Sequence, residues 1–203
     1  MMNRILLIFV GASILGCTNT TTTSNDGEMV PVLAATAQLE PYNDGSGLVK
    51  ATSYGSDGVV LEQGDYLNGL REGIYTVFYT NGYVKSTVGY VQGKKQGQLI
   101  NMDDKGQVLE RFSYHQDELN GSYVMYNRSR IKEMRSYKDG KLHGEVVKYY
   151  ASSILMERSN YANGQLDGIS RWYDQNGANT IAYEYKNGEL VGDVDLDSRP
   201  ATN

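Results

Sequence analysis

The stretch YKDGKLHGEVVKYY, from Tyr137 to Tyr150, has close relatives on both sides in the chain. YANGQLDGISRWY begins at Tyr161, and YLNGLREGIYTVFY begins at Tyr66. The tyrosines that open the phrase follow each other at intervals of 24, 24, 24, 23, 24 and 24 residues: Tyr42, Tyr66, Tyr90, Tyr114, Tyr137, Tyr161 and Tyr185. A period this regular is the signature of a repeat architecture. It predicts six to seven copies of one structural unit over residues 42–195.

Glycines predict two turns in every unit. One glycine stands three residues after the opening tyrosine, a second seven residues after it and, in most units, a third sixteen residues after it, as in Gly69, Gly73 and Gly82. Asp117 replaces the first of these glycines in the fourth unit. Asn-Gly and Asp-Gly dipeptides supply the positive φ angles of tight hairpin turns. With strands of about 6 to 8 residues between the turns, the pattern predicts an all-β chain of successive β-hairpins.

Side chains are expected to form columns across both faces of the sheet, because residues two apart share a face and equal positions in successive hairpins line up. One column is an aromatic ladder: Tyr54, Phe78, Met102, Tyr126, Tyr149 and Tyr173. The opposite face carries aromatic residues among polar ones, a mixture that suits protein or carbohydrate contacts. We take these as the candidate binding surface: Tyr75, Tyr79, Tyr123, Tyr150 and Trp172. The alternative is that ordinary packing covers this face.

Two segments also allow a helical interpretation, because the third glycine is missing from both. They are YNRSRIKEMRSY, residues 126–137, and YYASSILMERSNY, residues 149–161. The 23 or 24 residue register continues through both segments, which favours strands. A type I turn from Asn127 to Arg130 would accommodate the shorter fourth unit.

The N-terminal sequence MMNRILLIFVGASILGC has one positive charge at Arg4 and an apolar run from Ile5 to Leu15. This run is too short to span a bilayer and is typical of a secretory signal. The residues before Cys17 resemble the lipobox of bacterial lipoproteins. The resemblance implies cleavage before Cys17, acylation of that cysteine with fatty acids such as palmitate and, because Thr18 follows, the outer membrane in a host with two membranes. A plain signal peptide, or a buried free cysteine in an N-terminal helix, is the alternative.

These observations divide the chain into four parts. Residues 1–16 are predicted to be the lipoprotein signal peptide, and residues 17–41 a flexible, Thr-rich tether. The repeat domain is predicted over residues 42–195, and residues 196–203 form a C-terminal tail. The tether would hold the repeat domain away from the membrane.

The repeated phrase resembles the MORN repeat, on the tyrosine followed by two spaced glycines, the aromatic and Asn-Gly positions, and the glutamate before the next tyrosine. More closely it resembles the bacterial variant found in proteins labelled toxin-antitoxin system YwqK-family antitoxins. The resemblance covers residues 42 to about 194. It implies an elongated, twisted antiparallel sheet of successive β-hairpins that serves as a binding, scaffolding or membrane-associated module.

Motifs that carry chemistry are absent from the sequence. Only His115 and His143 stand in the chain, at different repeat positions, and no Cys or His spacing predicts a metal site. There is no nucleophile elbow, phosphate loop or dinucleotide fingerprint, and we predict no cofactor. A glutamate column, Glu62, Glu110, Glu133 and Glu157, contains carboxylates of the kind that glycoside hydrolysis uses in pairs, but charge-paired stripes on a soluble sheet are the simpler interpretation. The segment DVDLDS from Asp193 lacks the glycine and terminal glutamate of a calcium loop.

The function predicted from the sequence is that of a non-enzymatic, lipid-anchored envelope protein whose repeat surface binds or scaffolds a protein partner. The formal net charge of -5 disfavours nucleic acid as a partner. One alternative is an antitoxin or immunity protein that neutralises a toxin by binding it. A second alternative is a carbohydrate-binding surface protein.

Overall fold

The computed structural model describes residues 37–196, and the predicted signal peptide, most of the predicted tether and Cys17 lie outside them. The described residues form one antiparallel sheet. Its strands are β1 Gln38–Pro41, β2 Leu48–Tyr54, β3 Val60–Leu67, β4 Leu70–Phe78, β5 Val84–Val91, β6 Lys94–Met102, β7 Val108–His115, β8 Glu118–Leu119, β9 Gly121–Asn127, β10 Arg130–Lys138, β11 Lys141–Tyr149, β12 Leu155–Ala162, β13 Gln165–Leu166, β14 Gly168–Tyr173, β15 Asn179–Lys186 and β16 Glu189–Asp193. The all-β prediction is confirmed.

The strands lie in the sheet in the order in which they occur in the sequence, with β1 and β16 at its two edges. The short strands β8 and β13 pair only with β7 and β12. β10 and β12 occupy the two segments that also allowed a helix, so the helical alternative is wrong. Nowhere in residues 37–196 is there a helix long and apolar enough to cross a bilayer.

The sheet begins earlier than the sequence predicted. β1 pairs with β2 from Gln38 opposite Thr52 to Pro41 opposite Val49, so these four residues of the predicted tether are part of the sheet. Proline is tolerated there because β1 is an edge strand and Pro41 is its last residue.

Two-residue turns follow the opening tyrosines at one end of the strands. We call this side of the sheet the glycine edge, and its turns are residues 68–69, 92–93, 116–117, 139–140, 163–164 and 187–188. Both residues of each turn have positive φ, as Asn68 (53°) and Gly69 (83°) show. This is the conformation of the type I′ hairpin turn, and it matches the right-handed twist of the strands. Asp117 takes the glycine position in the fourth unit with a φ of 71°. The prediction of tight turns at these positions is confirmed.

Longer turns join the strands at their other ends, on the side of the sheet that we call the wide-turn edge. In the second unit the amide of Tyr79 donates to the carbonyl of Tyr83 at 2.8 Å, and the amide of Gly82 donates to the carbonyl of Tyr79 at 2.9 Å. The same pair of hydrogen bonds recurs in the first, third, fifth and sixth units. The fourth unit has only two residues in its turn, and Arg128 there has a φ of 57°. The second residue of a type I turn has negative φ, so the prediction of a type I turn at this position is wrong.

Each opening tyrosine from Tyr90 to Tyr185 lies opposite a glycine of the preceding unit. Tyr90 pairs with Gly73, and the same relation joins Tyr114 to Gly97, Tyr137 to Gly121, Tyr161 to Gly144 and Tyr185 to Gly168. Gly73 has a φ of 71°, a backbone conformation that residues other than glycine rarely adopt. The second glycine of one unit and the opening tyrosine of the next unit are therefore cross-strand partners.

The face that carries the opening tyrosines, which we call the tyrosine face, holds a buried cluster in the first units: Ala51, Tyr66, Tyr75, Val88 and Tyr90. Arg71 lies among three of these rings. Its guanidinium is 4.1 Å from the Tyr75 ring centre and 5.1 Å from that of Tyr90, and its Nη1 donates to the Tyr90 hydroxyl at 3.0 Å. The opposite face, which we call the ladder face, buries its own central row, with Val124 and Val147 only 4% and 2% exposed.

Candidate functional site

Two of the five predicted contact residues are part of the core. Tyr75 and Tyr123 are 9% and 5% exposed, so they do not offer the contact surface that the sequence predicted. The Tyr75 hydroxyl donates to the carboxylate of Glu62, and the Tyr123 hydroxyl donates to Glu110 at 3.2 Å. Burial is possible because each ring packs against side chains of neighbouring strands, as Tyr123 does on Phe112 with ring centres 4.9 Å apart.

The other three predicted contact residues are half-buried and lie in different units. The Tyr79 hydroxyl donates to the carbonyl of Met102 at 2.9 Å, and the Tyr150 hydroxyl donates to the carbonyl of Tyr173 at 2.8 Å. Each of these bonds fastens one wide turn to the next unit. The Trp172 ring centre is 6.0 Å from that of Tyr183. Tyr75, Tyr123 and Trp172 belong to strands, whereas Tyr79 and Tyr150 lie in wide turns, and the five residues do not converge on one site.

The glutamate column also lies on the tyrosine face, and every member has a partner. Glu62 and Glu110 accept hydrogen bonds from the tyrosines named above. Glu133 is 8% exposed and accepts from Arg135 Nε at 2.7 Å. Glu157 accepts from Lys148 Nζ at 2.8 Å and from a serine hydroxyl. Glu62, Glu110 and Glu157 therefore tie neighbouring strands together, whereas Glu133 pairs within β10. The partners are in part cations, as expected, and in part phenols, which was not expected.

Tyr123 should lose its proton at a higher pH than an ordinary tyrosine does. Burial, followed by the charge of Glu110 and its hydrogen bond, raises the pKa of Tyr123 to about 12 from its ordinary value of 10.0. The neutral phenol is favoured in the folded state, so its contribution to stability is complete below pH 10 and disappears as the pH rises from 10 to about 12. In Tyr123→Phe, we expect this part of the alkaline loss of stability to vanish.

Urea unfolding measured from pH 8 to 12 tests this expectation, with the ultraviolet absorbance of tyrosinate as a second measurement. Glu110→Gln is the matched variant, because it removes the negative charge while leaving the phenol in place. It should move the ionisation of Tyr123 to lower pH. Identical alkaline profiles for the original chain and both variants would refute the assignment.

The short turn of the fourth unit leaves a recess in the wide-turn edge, which we call the notch. Five residues lie between the paired residues Met102 and Val108 and between Tyr149 and Leu155, whereas only four lie between the paired residues Tyr126 and Ile131. A groove of about 720 Å³ lies between the fourth and fifth turns and is lined by residues that include Arg128, Arg130, Lys132, Tyr149 and Tyr150. A second groove of about 350 Å³ lies on the other side of the same turn. Arg128 and Ser129 line both grooves.

The notch was not predicted from the sequence, although a signal for it was present. The interval of 23 residues between Tyr114 and Tyr137 marks the shortened unit. Three cations, Arg128, Arg130 and Lys132, follow each other at alternate positions where that residue is missing. Of the five predicted contact residues, only Tyr150 lines a groove of the notch.

Comparison with known protein families gives a match within the repeat domain. A family model described as MORN repeat variant matches residues 142–163, which cover most of β11, the wide turn after it and β12. The segment forms a hairpin with the same pairing as its neighbours, and repeats of this kind are commonly modules for interaction with proteins or membranes. None of the curated proteins compared with the chain matches it. Within residues 37–196, no group of three or more His, Cys, Asp or Glu side chains is placed to hold a metal ion.

Proposed function

We propose that this chain is a non-enzymatic interaction module of the bacterial envelope, anchored through a lipid on Cys17, whose sheet presents a surface to a protein partner. The observation that supports this most is the single-layer sheet. In the part of the chain that the structure describes, substantial contacts between strands occur only between hydrogen-bonded neighbours. No second layer therefore covers the ladder face of that part.

The aromatic ladder, which forms the outer row of the ladder face, supplies apolar surface of the kind that protein interfaces use. Tyr54 is 39% exposed, and the other ladder residues are half-buried. Aliphatic side chains alternate with them across the sheet, such as Val108 (36% exposed) opposite Met102, and Ile131 (37%) opposite Tyr126. Aromatic residues held on a rigid backbone lose little conformational entropy on binding, which favours their use as contact residues.

Differential capture in the native host tests the proposed function. The full chain is cross-linked in cells and purified, beside a ladder variant, Tyr149→Ser/Tyr173→Ser, and a control, Tyr42→Ser/Tyr83→Ser. The control tyrosines are 42% and 52% exposed and do not belong to the ladder. We expect a protein that the original chain and the control retain and the ladder variant loses. Equal capture by all three, or no captured protein, would contradict the proposal, whereas a captured toxin or glycan would favour one of the two alternatives.

The lipid anchor has a separate test. Replacing Cys17 with serine removes the thiol that would be acylated, so we expect the full chain to move from the membrane fraction to the soluble fraction. Thr18→Ser is the matched control and should stay with the membrane. Fractionation followed by immunoblotting measures the distribution. An unchanged membrane fraction for Cys17→Ser would rule out the anchor.

A further inference from the structure

The charges of the notch are of one sign. Arg128, Arg130 and Lys132 are exposed and line the larger groove, and Arg111 lines the smaller one. No carboxylate lines either groove, although the chain as a whole has a formal net charge of -5. A recess whose charged side chains are all positive, in an acidic protein, attracts a negatively charged ligand during its approach and selects it over a positively charged one.

Two of these cations are free to pair with a ligand. The side chains of Arg128 and Lys132 form no hydrogen bond or ion pair with any residue of the described range 37–196. Arg130 is held in place, because its Nη1 donates to the carbonyl of Ala151 at 3.0 Å. Arg111 in the smaller groove has a buried Nε without a hydrogen-bond partner. The exposed guanidinium groups of Arg128 and Arg130 therefore keep donors that a carboxylate would satisfy.

The shape of the notch favours an extended ligand. The two grooves flank the turn that contains Arg128 and Ser129, and these two residues line both of them, so a ligand that crosses this turn would contact both grooves. Aromatic rings lie along the path of such a ligand: Tyr149 and Tyr150 in the larger groove and Tyr126 in the smaller one. A single small anion would occupy only part of this path. A polypeptide segment with acidic and apolar side chains would match both the charge and the length.

We propose that the notch binds an extended, acidic segment of a partner protein. This inference rests on the proposed function and specifies the chemistry of the partner and the place where it binds. The fourth unit then differs from the others for a reason, since the one-residue deletion that opens the recess lies beside the cations that line it.

Binding of model peptides to the full chain tests the inference. The probe is a fluorescein-labelled peptide of alternating Glu and Tyr, and a peptide of alternating Lys and Tyr is its control; fluorescence anisotropy is measured at low and at physiological salt. The variant Arg128→Glu/Lys132→Glu should bind the acidic peptide at least tenfold more weakly. Lys138→Glu/Lys141→Glu makes the same change of charge at exposed positions on the glycine edge and should alter affinity less than twofold. Equal weakening by both variants would overturn the inference.

A second variant changes the shape of the notch without changing its charge. Inserting one glycine after Ser129 restores the 24-residue period and should fill the recess, so we expect at least a tenfold loss of affinity with an unchanged circular dichroism spectrum. Full binding by this variant would overturn the inference. So would binding to anionic phospholipid vesicles without binding to the acidic peptide. If the charge variant still captures the cellular partner that the ladder variant loses, the notch inference fails while the proposed function stands.

Discussion

Replacing Tyr90 with alanine should lower the free energy of unfolding by about 3–5 kcal/mol, the range for removing a large aromatic side chain from a core. Tyr90 is 7% exposed, and its ring lies edge-on to that of Tyr75, with centres 6.2 Å apart. The substitution also removes the hydroxyl that accepts from Arg71 and uncovers the cross-strand contact with Gly73. Urea unfolding followed by circular dichroism measures the change.

The matched control for this prediction is Tyr83→Ala. Tyr83 is 52% exposed in a wide turn, and its loss should change the free energy of unfolding by less than about 1 kcal/mol. Because units of a repeat protein stabilise mainly their neighbours, hydrogen exchange in Tyr90→Ala should increase most in β4, β5 and β6. Equal effects of the two substitutions would show that the tyrosine face is not the core of these units.

Replacing Gly64 with alanine should lower the free energy of unfolding by about 1–3 kcal/mol, the usual cost of overpacking a core. A Cβ atom at this position would lie 2.3 Å from Cδ2 of Tyr75, so the buried ring would have to move away from its place beside Glu62. Gly192→Ala is the control, because a Cβ there meets nothing within 4 Å. Its effect should stay within about 0.5 kcal/mol.

A double-mutant cycle shows whether the ring is the cause. The fifth unit carries Val146 at the position equivalent to Tyr75, and valine is buried there, so Tyr75→Val is a change that the architecture already accommodates. In the Tyr75→Val background, Gly64→Ala should cost less than about 0.5 kcal/mol, which corresponds to a coupling of about 0.5–3 kcal/mol. An undiminished cost in that background would mean that the ring is not what excludes a side chain at residue 64.

The repeat made most of the fold predictable from the sequence. The period located every hairpin after β2, and the glycine three residues after most of the opening tyrosines located the type I′ turns, because positive φ restricts the choice of residue. The boundary at Gln38 was missed, since β1 is short, lies outside the periodic pattern and pairs only as an edge strand. The contact between each tyrosine and the glycine of the preceding unit was also missed, because it depends on the register between strands.

The candidate site was less predictable, for a physical reason. In a single-layer sheet, burial at a position depends on the size of its cross-strand neighbours, and aromatic columns stand on both faces. Tyr75 is buried because Gly64 leaves room beneath its ring, and nothing in the column pattern distinguishes it from an exposed tyrosine. The notch arises from a deletion, and the period shows the deletion but not the recess between the turns on either side.

Site-specific photo-crosslinking of the full chain in its native host tests most directly whether the sheet presents a binding surface. A photoreactive amino acid is placed at Tyr149, on the ladder face beside the notch, and at Glu118, which is exposed on the glycine edge. We expect a covalent adduct with one defined protein from position 149 and no such adduct from position 118. No adduct from position 149, or the same set of adducts from both positions, would contradict this expectation.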